Sequence, residues 1–474
     1  MRSFTESIAA YIQEMSWAKI TREAKEAGLR SIIDCLGVAL AGQREEASRI
    51  LSHYADYSRQ QEAGVIGGGF KTTAELAAWI NGTQSHALDY DDYFSLGGST
   101  PYHPTTVILP AVLAVAEEVH APGQDVLLAY ITGFEVEATL AAICARRQYD
   151  LGWHTTSTLG SPGAAAAVAK LLKLDRNEIR MALGIASSLS SGLRKNFGTM
   201  TKPLHAGNGA RNGVIAARLA QQGFTADNNI LDNPLGFDEV LTGGTEPEVD
   251  KATMEDREGF YIVAPGAALK PYPSCAYTHW AIDAALKIRN EVRFVPGEIV
   301  EVECHTSSAL PNLLIHSRPT TPLEGKFSLE YCVAIALLDN VVSLKQFTVE
   351  RVNDTAVQAL LRKVKYVHPV EFGSGLTNLR GKVVVKLGSG QTCSQEVNKA
   401  KGSPENPLTT EAIMSKYRDC ARLALSPGNV EKSLELLLSL ASVKDIVELT
   451  DILTFGTGAK TRNKTRRTTP SSKQ

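Results

Sequence analysis

At 474 residues the chain exceeds one ordinary hydrophobic core, so two domains or one large split domain are expected. Hydrophobic residues make up 43% and charged residues 21%, the proportions of a globular enzyme, and a formal net charge of −2 argues against a general nucleic-acid binder. Six Lys/Arg and no acid fall in Lys460–Gln474; out of the total of −2 this leaves −8 on residues 1–459 and marks 459–474 as a disordered basic tail.

Cys35, Cys144, Cys275, Cys304, Cys332, Cys393 and Cys420 are scattered, odd in number and without a CxxC pair. They predict reduced thiols in the cytoplasm, with the mitochondrion as the alternative compartment, and no zinc knuckle. Apolar runs such as Val107–Ala116 fall short of the ~20 residues a membrane helix needs, and Glu6 and Glu14 break any signal-peptide core. No membrane partner is expected.

Along the chain, Ile8, Tyr11, Ile12 and Met15 share one helical face, and Ile32, Ile33, Leu36 and Leu40 share another. Val65–Phe70 reads as a short extended piece with a glycine turn and lacks the spacing of a nucleotide-binding loop. Thr73–Thr83 is a helix that delivers the chain to Ser85–Thr106, a stretch holding His86, His103 and three aspartates beside a hinge of Gly97, Gly98 and Ser99. Titratable residues leading into a core helix are costly to bury without partners, and a site is the usual reason for tolerating that cost. After helices at 107–119 and Asp125–Cys144, a second polar stretch, Gly152–Ser157, precedes the helix Gly163–Leu172. A third, Lys195–His205, feeds the helix Gly207–Gln221. Each places a polar loop at the start of a buried helix, where free N–H groups suit anions, and small residues let the helices pack closely enough for the loops to converge.

From Lys270–Cys275 the character changes. Val300, Val302 and Cys304 alternate with acidic and polar residues as a strand, Ser328–Leu338 is a helix, and Arg380–Leu387 with Gln391–Val397 reads as a hairpin. Residues 267–398 are thus expected to form a smaller α+β domain inserted in a mainly α protein, with 1–266 and 399–458 building one large helical domain from both chain ends.

The titratable candidates are His86, Asp89, His103, His154, Lys202 and His205. Without HExxH or facial-triad spacing no metal is assigned, and no Gly-x-Ser-x-Gly elbow supplies a hydrolase nucleophile. The set suits proton transfer next to a carboxylate, which needs a base of matched pKa and positive charge where the carbanion develops.

HALDYDD followed by HP, GWHTTSTLG, KNFGTMTKPLHAGNGARNG, KPYPSCAYTH and GKFSLEY together resemble the MmgE/PrpD family over about residues 5–455. The resemblance implies a helical domain with an α+β lid, a homodimer and no cofactor. It further implies Asp89, His103, His154 and Lys202 as catalytic residues, and Tyr93, Thr201, His205, Cys275 and Lys326 as substrate-binding residues. The family includes 2-methylcitrate dehydratase, cis-aconitate decarboxylase and iminodisuccinate epimerase. The mammalian decarboxylase has histidine at Cys275 and threonine at Tyr93, so a 2-methylcitrate or alkylcitrate dehydratase acting on a small carboxylate is the first expectation. Epimerisation and cis-aconitate decarboxylation are the alternatives within the family, and a non-catalytic binding relative is the alternative outside it. The basic Ser/Thr tail resembles fungal members, some of which serve secondary metabolism.

Overall fold

The computed structural model describes residues 3–456 except 56, 57, 59, 97–101, 233, 245–250, 252–257 and 376–379. The Gly97–Ser99 hinge and the basic tail therefore lie outside the described residues. Two hydrophobic cores organise the rest. The larger is drawn from Phe4–Leu269 and again from Leu408–Leu453; the smaller runs from Tyr272 to Ala400. The fold is mainly α with a small α+β part, as expected from the alternation of helical and period-2 patterns.

The large core is a stack of helices whose starts carry ordinary caps. Thr21 and Thr73 accept hydrogen bonds from the first turns of Arg22–Gly42 and Ala74–His86. Thr201–Gln221 packs against Ala74–His86 and against Gly160–Leu171. The first of these contacts needs glycine: a Cβ on Gly207 would lie 2.2 Å from the Trp79 carbonyl oxygen, and one on Gly82 would lie 2.9 Å from Gly207 Cα. The Gly123–Asp150 helix is longer than its sequence pattern suggests and apolar enough to cross a membrane, but 83% of its most apolar window is buried among neighbouring helices. It reads as a core helix.

One expectation about the third polar stretch is corrected. The helix begins at Thr201, so Lys202 and His205 lie on it rather than in the preceding loop. Pro203 sits in the first turn, where its missing N–H has no helical partner to lose, and therefore does not delay the start.

In the smaller core the strands order as Val364–Val367, Ile299–His305, Gly381–Leu387 and Thr392–Val397. The first pair is parallel and the other two antiparallel. Val302 and Cys304 face inward as their alternation predicts, but Val300 points to solvent. The register shifts between Ile299 and Glu301, which gives the inward position to Ile299. The two parts meet where Tyr93 pairs with Ala268 and where the Tyr90 hydroxyl donates to the Pro271 carbonyl at 3.2 Å.

Candidate functional site

His86 ends its helix and the chain turns sharply: Asp89 has φ 52°, a left-handed conformation that aspartate tolerates better than most residues. Three buried lysines from later in the chain then take three successive carbonyls of this turn. Lys326 Nζ donates to the Leu88 oxygen at 2.8 Å, Lys270 Nζ to the Asp89 oxygen at 3.0 Å, and Lys416 Nζ to the Tyr90 oxygen at 2.7 Å. Lys416 also donates to the Lys270 carbonyl and pairs with buried Asp34 at 2.7 Å. These bonds satisfy backbone groups that would otherwise be orphaned by a turn inside the protein.

The turn places Asp89 in the wall of a partly open cavity of about 40 Å³. Asp89 Oδ1 accepts from Lys202 Nζ at 2.6 Å and lies 3.3 Å from Lys270 Nζ. Burial alone would push this carboxyl up; the two ammonium groups override it and hold Asp89 well below the usual carboxylate range. Burial works against charge on Lys270 as well, yet Asp89 and Asp91 hold its pKa above the ordinary lysine value. Lys202 Nζ lies between the rings of Phe197 and Phe327, at 5.6 and 5.2 Å from their centroids.

His103 and His154 line the same cavity. His103 precedes Pro104, the residue that caps the Thr105–Glu118 helix. His154 precedes the short helix Thr155–Thr158, and its N–H donates to the Gly192 carbonyl at 2.9 Å. Burial, then the nearby Lys202 charge, drives His154 well below the ordinary histidine value, so its ring is neutral. Its Nδ1 is 2.9 Å from Nδ1 of His205, so one of these two rings donates to the other. Burial and Lys202 likewise lower His205 to about 4.

Behind His103 lies Asp91, fully buried. Its Oδ2 is 2.8 Å from His103 Nδ1 and 2.9 Å from His86 Nδ1. His86, pushed down to about 3 mainly by burial, is neutral. The ligand atoms of His86, Asp91 and His103 lie within 4.8 Å of one another, a spacing that could hold a metal ion. Two N–H donors converging on one carboxylate oxygen account for that spacing in full, so the donor set does not point to a metal.

Of the residues singled out in the sequence, the structure brings Asp89, His103, His154, Lys202, Tyr93 and Cys275 to one cavity. The other four are placed differently. His86 lies outside the lining, on Asp91. His205 stands behind His154, and Thr201 is half-buried at the helix start outside the lining. Lys326 is spent on the Leu88 carbonyl, also outside the lining. Apart from Lys270, the rest of the wall is apolar or aromatic: Tyr149, Phe197, Ala276, Tyr277, Leu313 and Phe327. Cys275 is held neutral, its thiol pushed by burial up to about 11, and its N–H donates to the Lys326 carbonyl. Lys270 and Asp91 were missed. Lys270 carries the signal that marks Lys202, a lysine in an apolar, proline-bounded stretch; Asp91 offers only its place among the three aspartates.

A family model described as the MmgE/PrpD N-terminal domain matches residues 6–250, and one for the MmgE/PrpD C-terminal domain matches residues 272–441. Over 467 residues the chain is 29% identical to human cis-aconitate decarboxylase, covering 96% of this chain and 95% of the relative. The mouse cis-aconitate decarboxylase is 28% identical over 467 residues, at 96% and 94% coverage. The cis-aconitate decarboxylase of Aspergillus terreus is 28% identical over 471 residues, covering 95% of each chain.

Proposed function

The chain belongs to the MmgE/PrpD family, and from that footing we propose that it is a lyase acting on a small tricarboxylate, with decarboxylation of a cis-aconitate-type substrate as the reading best supported. What carries the choice of reaction is the end-to-end similarity to cis-aconitate decarboxylases, which outweighs the initial preference for a dehydratase. The cavity suits the chemistry. Breaking the bond to CO₂ leaves an electron pair in the conjugated alkene–carboxylate system, and a proton delivered to the far carbon completes an unsaturated dicarboxylate. Lys202 and Lys270 can supply positive charge for the substrate carboxylates, and the imidazoles of His103 and His154, on the wall of the same cavity, can carry a proton. Asp89 holds both ammonium groups in place.

A second reading, dehydration of a 2-methylcitrate-type substrate, is favoured by one observation. Cys275 and Tyr93, the positions that depart from the mammalian decarboxylase pattern, both line the cavity. The homodimer expected from the resemblance belongs to the same proposal.

Purified protein incubated separately with cis-aconitate, 2-methylcitrate and iminodisuccinate in D₂O tests the reading. Release of CO₂ from cis-aconitate with one deuteron in the product is the expected result. Alkene formation from 2-methylcitrate without CO₂ would select the second reading. No turnover and no exchange on any of the three would refute both.

A further inference from the structure

We infer that Asp91 is a positioning residue that makes Nε2 of His103 the atom carrying the mobile proton of this site. The inference rests on two contacts. His103 Nδ1 lies 2.8 Å from Asp91 Oδ2 and 2.7 Å from the Asp92 backbone oxygen. Both partners can only accept: a carbonyl oxygen always, and a carboxylate when ionised. A ring nitrogen facing two acceptors must be the protonated one, so His103 is the Nδ1–H tautomer and its lone pair sits on Nε2. Since His103 lines the cavity while its Nδ1 edge is turned into the protein, Nε2 is the nitrogen left for substrate.

The ionised state of Asp91 follows from its surroundings. Burial alone would raise its pKa, but the imidazoles of His86 and His103, and their hydrogen bonds, hold it well below the usual carboxylate range. His86 has its own place in this arrangement. Its Nδ1 donates to the same oxygen at 2.9 Å, and its Nε2 is buried with no hydrogen-bond partner among the described residues. It does not line the cavity; it supplies the second donor that a lone buried carboxylate oxygen needs. When Nε2 takes a proton, the negative charge of Asp91 stands beside the resulting imidazolium. This is the division of labour in which a buried carboxylate fixes the tautomer of a catalytic histidine without being protonated itself.

The contrast with His154 sharpens the point. Its Nδ1 faces another imidazole, which can donate or accept, so nothing there dictates a single tautomer. Of the two cavity histidines, only His103 has its proton placed by acceptors alone.

The deepening rests on the proposed lyase reading for its kinetic part but not for its structural part. The test uses full-length protein labelled with ¹⁵N-histidine, at about pH 8.5, two units above the ordinary histidine value. His103 is assigned by its loss in His103→Gln. The expected spectrum has His103 protonated at Nδ1 with a lone pair on Nε2. Asp91→Asn keeps the Asp92 carbonyl against Nδ1 but removes the negative charge beside the imidazolium, and is expected to lower kcat by about 10²–10⁴-fold while KM stays within about threefold. His86→Phe keeps the Asp91–His103 contact and should preserve the tautomer with a smaller loss in kcat. An Nε2–H tautomer in the wild-type protein overturns the inference, whether or not Asp91→Asn folds. So does an Asp91→Asn variant with wild-type kcat, or a His86→Phe variant that loses the tautomer. If no substrate turns over, the lyase reading fails and the tautomer of the wild type still tests where the His103 proton is held.

Discussion

The two walls of the cavity are built of different materials. The helical domain contributes Asp89, His103, His154 and Lys202, each buried and each tied to a polar partner. The α+β domain contributes Cys275, Ala276, Tyr277, Leu313 and Phe327, which offer shape and exclude water but carry no charge at neutral pH. Lys270 stands at the seam, and Lys326 reaches across it to grip the turn that carries Asp89. The lesson is that one wall holds the proton chemistry while the other determines what fits against it. Substitutions should therefore act on different kinetic quantities according to the wall they touch.

The largest effect should come from the helical wall. Lys202→Met removes the cation nearest Asp89 and should lower turnover of the best substrate by about 10³-fold or more, read by steady-state CO₂ release. Next comes the seam. Lys326→Met leaves the Leu88 carbonyl buried without its donor and should cost about 1–3 kcal/mol in urea-unfolding stability, with a smaller loss of kcat as Asp89 loosens. A variant as stable and active as the parent would break the claim that the α+β domain helps to position Asp89. On the apolar wall, Leu313→Ala should raise KM by about tenfold and change kcat by less than about twofold, because it removes contact made equally in ground and transition states. A large fall in kcat there would erase the division between the walls.

Behind the helical wall the expected effect is on stability and not on turnover. Glu137 is fully buried, both its carboxyl oxygens lack partners among the described residues, and burial followed by the charge of Asp92 raises its pKa well above the ordinary value. A group whose folded-state pKa is raised contributes stability that is fully present below the unfolded value and is lost as pH rises through the folded one. Glu137→Gln removes that loss. Measured by urea unfolding, its stability relative to the parent should improve from about pH 4.5 upward by about 1.4 kcal/mol per pH unit, until the folded-state pKa is passed. A difference that does not change with pH would mean that Glu137 is ionised in the fold.

Much of this arrangement was legible in the residues. The 3.6-residue spacing of Ile32, Ile33, Leu36 and Leu40 placed a buried helix, and the alternation at Val302 and Cys304 placed a strand. Titratable residues set directly before helices picked out Asp89, His103 and His154. Other features depend on contacts between distant segments and leave no local trace. Lys326 resembles a substrate-binding lysine until the fold shows the carbonyl it reaches, and Asp91 is one aspartate among three until two imidazoles meet on its oxygen. Val300 follows the alternation of its strand, and only the register shift beside it turns the side chain outward. The early start of the Thr201–Gln221 helix was hidden by Pro203, which looks like a breaker but is tolerated in a first turn.

The account depends most on the claim that the charged wall binds a polycarboxylate through Lys202. Titration calorimetry with propane-1,2,3-tricarboxylate, which has no double bond to react, measures this directly. The account predicts binding to the parent protein, affinity weakened about 100-fold or more in Lys202→Met, and no change in Lys365→Ala, whose side chain is on the outer face of the sheet. Equal affinity in all three proteins would contradict it.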